Sequence, residues 1–116
     1  MTFTNDIFYD TDNLSFPDRV QILYEAKQLC HNWRVDILDC SKSLARQKID
    51  IPFDEILSKF DEDAHFVIIH RKLFYLEEYH VEIGFRAKGG IDYFLWIYLD
   101  EKYIDHFVNK YNLKPF

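Results

Sequence analysis

The chain has little that punctuates or cross-links it. Among 116 residues there are three glycines, Gly84, Gly89 and Gly90. Dinucleotide fingerprints and phosphate-cradling loops need glycines at fixed spacings where backbone closely approaches a phosphate, and neither can be built from these three. Two cysteines, Cys30 and Cys40, are too few for a disulfide framework and lack zinc-site spacing. Read on one continuous helix they stand roughly 15 Å apart, beyond disulfide reach. None of the four serines sits in a Gly-x-Ser-x-Gly elbow, so serine hydrolysis has no support. The longest unbroken apolar run, Tyr93 to Leu99, is far short of the roughly 20 residues that span a bilayer. The opening MTFTNDIFYD has no basic region followed by an apolar stretch, as an export signal would. A reduced, cytoplasmic setting is the expectation.

Positive charge is also scarce. Lys and Arg number 14 against 20 Asp and Glu, a net charge of −6, which is not the electrostatic footprint of a nucleic-acid or anionic-membrane binder. The imbalance is uneven: residues 1–63 hold 13 acids and 7 bases, while residues 64–116 hold 7 of each. Asp6, Asp10, Asp12 and Asp18 precede the first base, and Asp50, Asp54, Glu55, Asp61, Glu62 and Asp63 surround Lys59 alone. Between these acidic bands, Arg19 to Lys48 is net basic. Acidic bands of this kind either keep a surface solvated or steer a basic protein partner toward it.

Apolar residues are plentiful, at 48% with 18% aromatic. A chain of this length and composition builds one core without staples, so residues 1–116 read as one domain. Residues 1–14 read as an irregular arm or a short edge strand. Ser15, Pro17 and Asp18 form a helix start, because a hydroxyl can cap, proline's missing donor is not needed there, and a carboxylate suits the positive helix end. Ile22, Ala26, Leu29, Trp33, Ile37, Cys40 and Leu44 then recur at steps of three and four, predicting a long helix over about 17–47. Trp33, Val35 and Ile37 also alternate as a short strand would. After Pro52, the residues Phe53, Ile56, Leu57 and Phe60 mark a second helix.

From residue 64 the pattern becomes β: His65 to Phe74, Tyr79 to Ala87 and Ile91 to Leu99 are rich in β-branched and aromatic residues. Glu77 and Glu78 are assigned to the first turn and Lys88-Gly89-Gly90 to a hairpin. A last helix follows Asp100, with Tyr103, Ile104, Phe107, Val108 and Tyr111 on its apolar side. The expected fold is α+β in the order α-α-β-β-β-α: a helical part over 15–63, then a sheet and helix over 64–116. Its sheet is three-stranded and antiparallel, open to extension by an N-terminal edge strand, with the helices on one face.

The third strand is apolar on both sides, so either it is covered twice or one side awaits a partner. A two-residue turn places Tyr93, Leu95 and Ile97 beside His80, Glu82 and Arg86, whereas a turn one residue longer exchanges the sets. Both registers stay open. The interface candidates are Tyr93, Leu95, Trp96, Ile97, Tyr98 and Arg86, with the acidic run Asp61, Glu62 and Asp63. His80, Glu82, Arg86 and Tyr93 are the polar groups for a ligand pocket between sheet and helices. His70 and His80 could approach across a hairpin with Glu82 as a third metal ligand, but a structural or solvent-exposed role for these histidines is the stronger reading, so no metal or cofactor is expected. No catalytic residue is assigned. The leading expectation is a non-enzymatic acidic protein-binding module of inhibitor or immunity type with a basic partner. The alternatives are a small ligand-binding domain or enzyme, and a homodimer paired through the aromatic strip.

Overall fold

The structure is a computed structural model that describes residues 6–39, 41–42, 45–72, 77–87 and 90–116. The elements run β1 (Ile7–Asp10), α1 (Phe16–Leu29), β2 (Asn32–Asp39), β3 (Gln47–Ile49), α2 (Phe53–Ser58), β4 (His65–Lys72), β5 (Glu77–Ala87), β6 (Ile91–Tyr98), α3 (Glu101–Tyr111) and β7 (Lys114–Pro115). The fold is mixed α+β, as expected. The sheet has seven antiparallel strands in the order β3-β2-β6-β5-β4-β1-β7, which corrects the three-stranded expectation and its element order.

The main correction falls on residues 17–47. The helix begins where its signals place it, with the Ser15 hydroxyl accepting from the Asp18 amide at 3.3 Å. It ends at Leu29, and the chain turns extended at Cys30. The next residues form β2, which pairs along its full length with β6, Asn32 opposite Tyr98 through Asp39 opposite Ile91. Trp33, Val35 and Ile37 satisfy a period of two as well as a helical stripe, and the free edge of an apolar β6 decides between them by supplying backbone partners. The single-helix separation of the cysteines therefore falls away, and Cys40 and Leu44 lie outside the described residues. The N-terminal segment does form a strand, but β7 flanks it, so it is not the edge.

Glu77 and Glu78 open β5 instead of occupying the turn. In the β5–β6 hairpin Ala87 pairs with Ile91, leaving three residues between them. Gly90 takes φ 80°, which glycine adopts without steric penalty; Lys88 and Gly89 lie outside the described residues. The longer turn selects the second register: Val81, Ile83 and Phe85 pair with Ile97, Leu95 and Tyr93. Successive side chains alternate across a strand, so these residues share one face.

All three helices pack on that face. Ile22, Leu23 and Ala26 of α1, Phe53 and Ile56 of α2, and Ile104 and Phe107 of α3 join Val35, Phe66, Ile68, Val81, Ile83, Leu95 and Ile97 in one buried core. Burying a large side chain of this kind contributes roughly 1.5–3 kcal/mol. Among the described residues no helix packs on the opposite face, and none is long and apolar enough to cross a membrane.

Candidate functional site

Two features stand apart from the core: an acidic corner and the helix-free face of the sheet. At the corner, segments far apart in sequence are drawn together by β1–β4 pairing, with Asp10 opposite Val67. The Thr11 hydroxyl donates to the Phe66 carbonyl at 2.7 Å, and His65 Nδ1 lies 2.7 Å from Asp12 Oδ1. Asp10 and Asp12 of the first acidic band thus lie at the same end of the sheet as the loop at residues 61–64 of the second, while Asp50 follows β3 at the opposite edge. Asp10 and Asp61 each turn one carboxylate oxygen back onto a backbone amide two residues on, at 2.8 and 2.9 Å, the local turn chemistry that Asp favours.

Beneath the corner lies Arg19, 6% exposed. Its guanidinium donates to the carbonyls of Ala64 at 2.5 Å and Glu62 at 3.2 Å and sits 5.9 and 5.8 Å from the rings of Phe16 and Phe60. Holding these carbonyls inward fixes the loop that carries Asp61, Glu62 and Asp63, all exposed. Asp18 is exposed on the first turn of α1, whose Phe16 stacks on Phe60 at 5.5 Å. Arg19 is spent on carbonyls and rings, and among the described residues it pairs directly with no carboxylate. These acids are exposed, unlike the buried carboxylate pairs of acid–base catalysis. The corner is suited to long-range attraction of positive charge.

The helix-free face can be read in rows across the strands. One row runs Lys48, Asp36, Phe94, Gly84 and His65. The next runs Arg34, Trp96, Glu82, Val67 and Asp10, and a third runs Asn32, Tyr98, His80, Ile69 and Phe8. His80 is 2% exposed, with its ring 5.5 Å from Trp96 and 5.9 Å from Tyr98. Arg34 pairs with Asp36 at 2.7 Å, and the Arg46 guanidinium lies 3.8 Å from the centre of the Phe94 ring, a cation–π contact. Asp36 is buried, and neither its Oδ1 nor the buried Trp96 Nε1 has a hydrogen-bond partner among the described residues.

The interface candidates divide between the faces. Trp96 and Tyr98 are half-buried on the helix-free face. Leu95 and Ile97, at 1% and 0% exposure, belong to the core, and Tyr93 stacks on Phe85 at 5.5 Å on that same side. On the folded chain Leu95 and Ile97 therefore have no surface to offer. Arg86 pairs in register with Asp92; its side chain lies outside the described residues. The pocket set separates too, because His80 and Glu82 project away from the helices while Tyr93 projects toward them. Hydrophobic core fills the space between sheet and helices where that pocket was placed.

His70 pairs in register with Tyr79, and His80 with Ile69, so the two histidines lie on opposite faces. His70 Nε2 is 3.3 Å from Glu101 Oε1. Among the described residues no three His, Cys, Asp or Glu side chains converge on a metal position. Cys30 and His31 form no nucleophile–base pair: the Cys30 thiol donates to the Lys27 carbonyl at 3.0 Å, and burial pushes its pKa upward.

Sequence reasoning missed Arg34, Arg46, Phe94 and His65 as surface features. The alternation of Arg34 and Asp36 with Trp33, Val35 and Ile37 was the signal for the first of these, and it was outweighed by the helical stripe. A cleft of about 330 Å³ joins the two features, lined by Asp10, Asp12, His65, Val67, Glu82 and Phe116 among others. Compared with protein-family models, curated proteins and solved structures, the chain matches none of them.

Proposed function

We propose that the chain is a non-enzymatic protein-binding module that presents its acidic corner to a basic protein, in the manner of a cytoplasmic inhibitor or immunity protein. The observation that carries this reading is the convergence of Asp12, Asp18, Asp61, Glu62 and Asp63 at one end of the sheet, over a buried Arg19 that leaves their charge exposed. Charge held on a rigid corner acts chiefly on encounter, raising the association rate and making it salt-dependent.

The test is affinity capture from lysate at low and high salt, using the wild-type chain and a variant carrying Asp61→Lys, Glu62→Lys and Asp63→Lys. The expected result is a stoichiometric basic protein, released by high salt, whose association with the variant slows by about tenfold or more. Equal association rates and equal salt dependence for the two chains overturn the reading.

A further inference from the structure

We propose that the open end of the β2–β3 edge binds an extended segment of another protein as an added strand, one that carries a single carboxylate between apolar residues. The inference uses the side of the sheet opposite to the acidic corner and does not rest on the function proposed above.

The backbone supplies the first argument. β3 is the last strand on this side of the sheet. It covers only Val35, Asp36 and Ile37 of β2, whereas β6 pairs with β2 from Asn32 to Asp39. Successive residues of a strand turn their N–H and C=O groups to alternate sides. Among Asn32, Trp33 and Arg34, at least one residue therefore presents both groups on the side where β3 has ended. No backbone hydrogen bond meets them there among the described residues. An unpaired edge of this kind is a template for a further strand. The far edge offers less, because β7 has two residues and one is Pro115, which has no N–H to give.

The second argument is the hollow at that spot. A cleft of about 390 Å³ lies between the open stretch of β2 and the chain that leaves β3. Trp33, Ile49, Ile51 and Pro52 line it as an apolar wall, with the Trp33 ring edge-on to Phe53 at 5.4 Å. Trp33 and Ile49 share the helix side of the sheet with Val35, while Arg34 and Lys48 share the other side with Asp36. An added strand inherits this alternation: its apolar residues fall beside Trp33 and Ile49, and the residue between them falls beside Arg34 and Lys48.

The third argument is charge. Lys48 is exposed and makes no ion pair among the described residues. Arg34 gives one nitrogen to Asp36 at 2.7 Å and keeps the rest of its five-donor fork. A carboxylate is the side chain that these two cations select. Asp50 lines the same cleft and repels a second acid, which limits the segment to one. Two copies of this chain joined at this edge would instead bring Arg34 and Lys48 against their own equivalents, and like charges across a strand pair are destabilising.

The test is a titration of the nitrogen-labelled full chain with the blocked pentapeptide Thr-Val-Glu-Val-Thr up to millimolar concentration, followed by two-dimensional nitrogen–proton NMR. The expected result is a saturable shift of the Trp33 indole and of the Asn32–Arg34 amides, with the amides of residues 61–63 unmoved. Lys48→Glu in the chain, or Lys in place of Glu in the peptide, raises the dissociation constant about fivefold or more, and combining the two recovers part of the loss. Two further peptides are N-methylated at Glu alone or at both Val. One set of amides faces the chain and the other faces away, so one of these peptides binds and the other does not. Shifts that fail to saturate, or that arise away from Trp33, overturn the proposal. So does equal binding by the two N-methylated peptides, and binding indifferent to both charge changes overturns the choice of a carboxylate.

Discussion

The guanidinium of Arg19 donates at 2.5 Å to the carbonyl of Ala64, across 45 residues of sequence. A charge this deeply buried is held by backbone carbonyls and aromatic faces. The contact ties the first turn of α1 to the loop that leads into β4, and it gives the acidic corner a fixed base.

Removing that base should loosen the fold and the corner together. Arg19→Ala leaves the carbonyls of Ala64 and Glu62 without their donor and opens a gap beside the stacked rings of Phe16 and Phe60. The expected loss is about 2–4 kcal/mol, since hydrogen bonds to charged groups are worth about 1.5–3 kcal/mol each and do not add fully. Arg19→Lys cannot reproduce the two-pronged geometry and should recover only part of this. Urea unfolding of the three chains measures it.

Phe107 and Phe116 make a paired control on where the core lies. Phe107 is fully buried on the inner side of α3, and Phe116 is 73% exposed beside Phe8. Phe107→Ala should cost about 3–5 kcal/mol through lost burial and the cavity left behind. Phe116→Ala should stay within about 0.5 kcal/mol. Thermal melts of the two variants should separate widely, and comparable losses would contradict the core described above.

Glu25 links α1 to α3 and sets a pH dependence. Burial acts to raise its carboxyl pKa, but hydrogen bonds from Lys110, Gln21 and Tyr111 outweigh burial and leave it below its ordinary value of 4.5. A carboxylate depressed in the folded state binds fewer protons there than in the unfolded chain. Its stabilisation is therefore complete above the unfolded value and is lost as pH falls through the lower folded one. Glu25→Gln should melt below wild type at pH 7, and the two curves should converge in acid below pH 4.5. A difference that persists unchanged into acid would refute this assignment.

Cys30 should be a slow thiol. Burial is the largest influence on it and raises its pKa above 9.0 despite the opposing charge of Lys27, and the thiolate is the reactive species. In a Cys40→Ser background, alkylation at pH 8 should run slower than for a free small-molecule thiol, and Lys27→Glu should slow it further. A faster rate would mean that the thiol is exposed or activated.

What the sequence made legible follows from local chemistry. The α1 start rests on Ser15, Pro17 and Asp18, which act within one turn of themselves. α2 and α3 were readable because Pro52 and Asp100 precede apolar residues at helical spacing. The β character of residues 65–72, 77–87 and 91–98 was readable from their β-branched and aromatic density, and Leu73 and Phe74, also expected in the first strand, lie outside the described residues. The β2 segment was not, because Trp33, Val35 and Ile37 suit two periods equally and no glycine or proline stops the helix after Leu29. The side-chain sets of β5 and β6 stayed open for a similar reason: one residue in the turn flips every position of a strand.

The sequence by itself determined a mixed α and β class, the positions of three helix starts, and the acidic and basic bands. Tertiary structure decided the rest. Backbone groups on an apolar strand must be paired, and the edge of β6 made a strand of residues 32–39. The three-residue hairpin turned Leu95 and Ile97 into core and left Trp96 and Tyr98 on the face without helices. The antiparallel return of β4 beside β1 brought Asp12 to His65, joining acids that the chain holds some fifty residues apart. Bands of charge are a property of order along the chain, but a charged corner exists only once pairing has fixed which bands are neighbours.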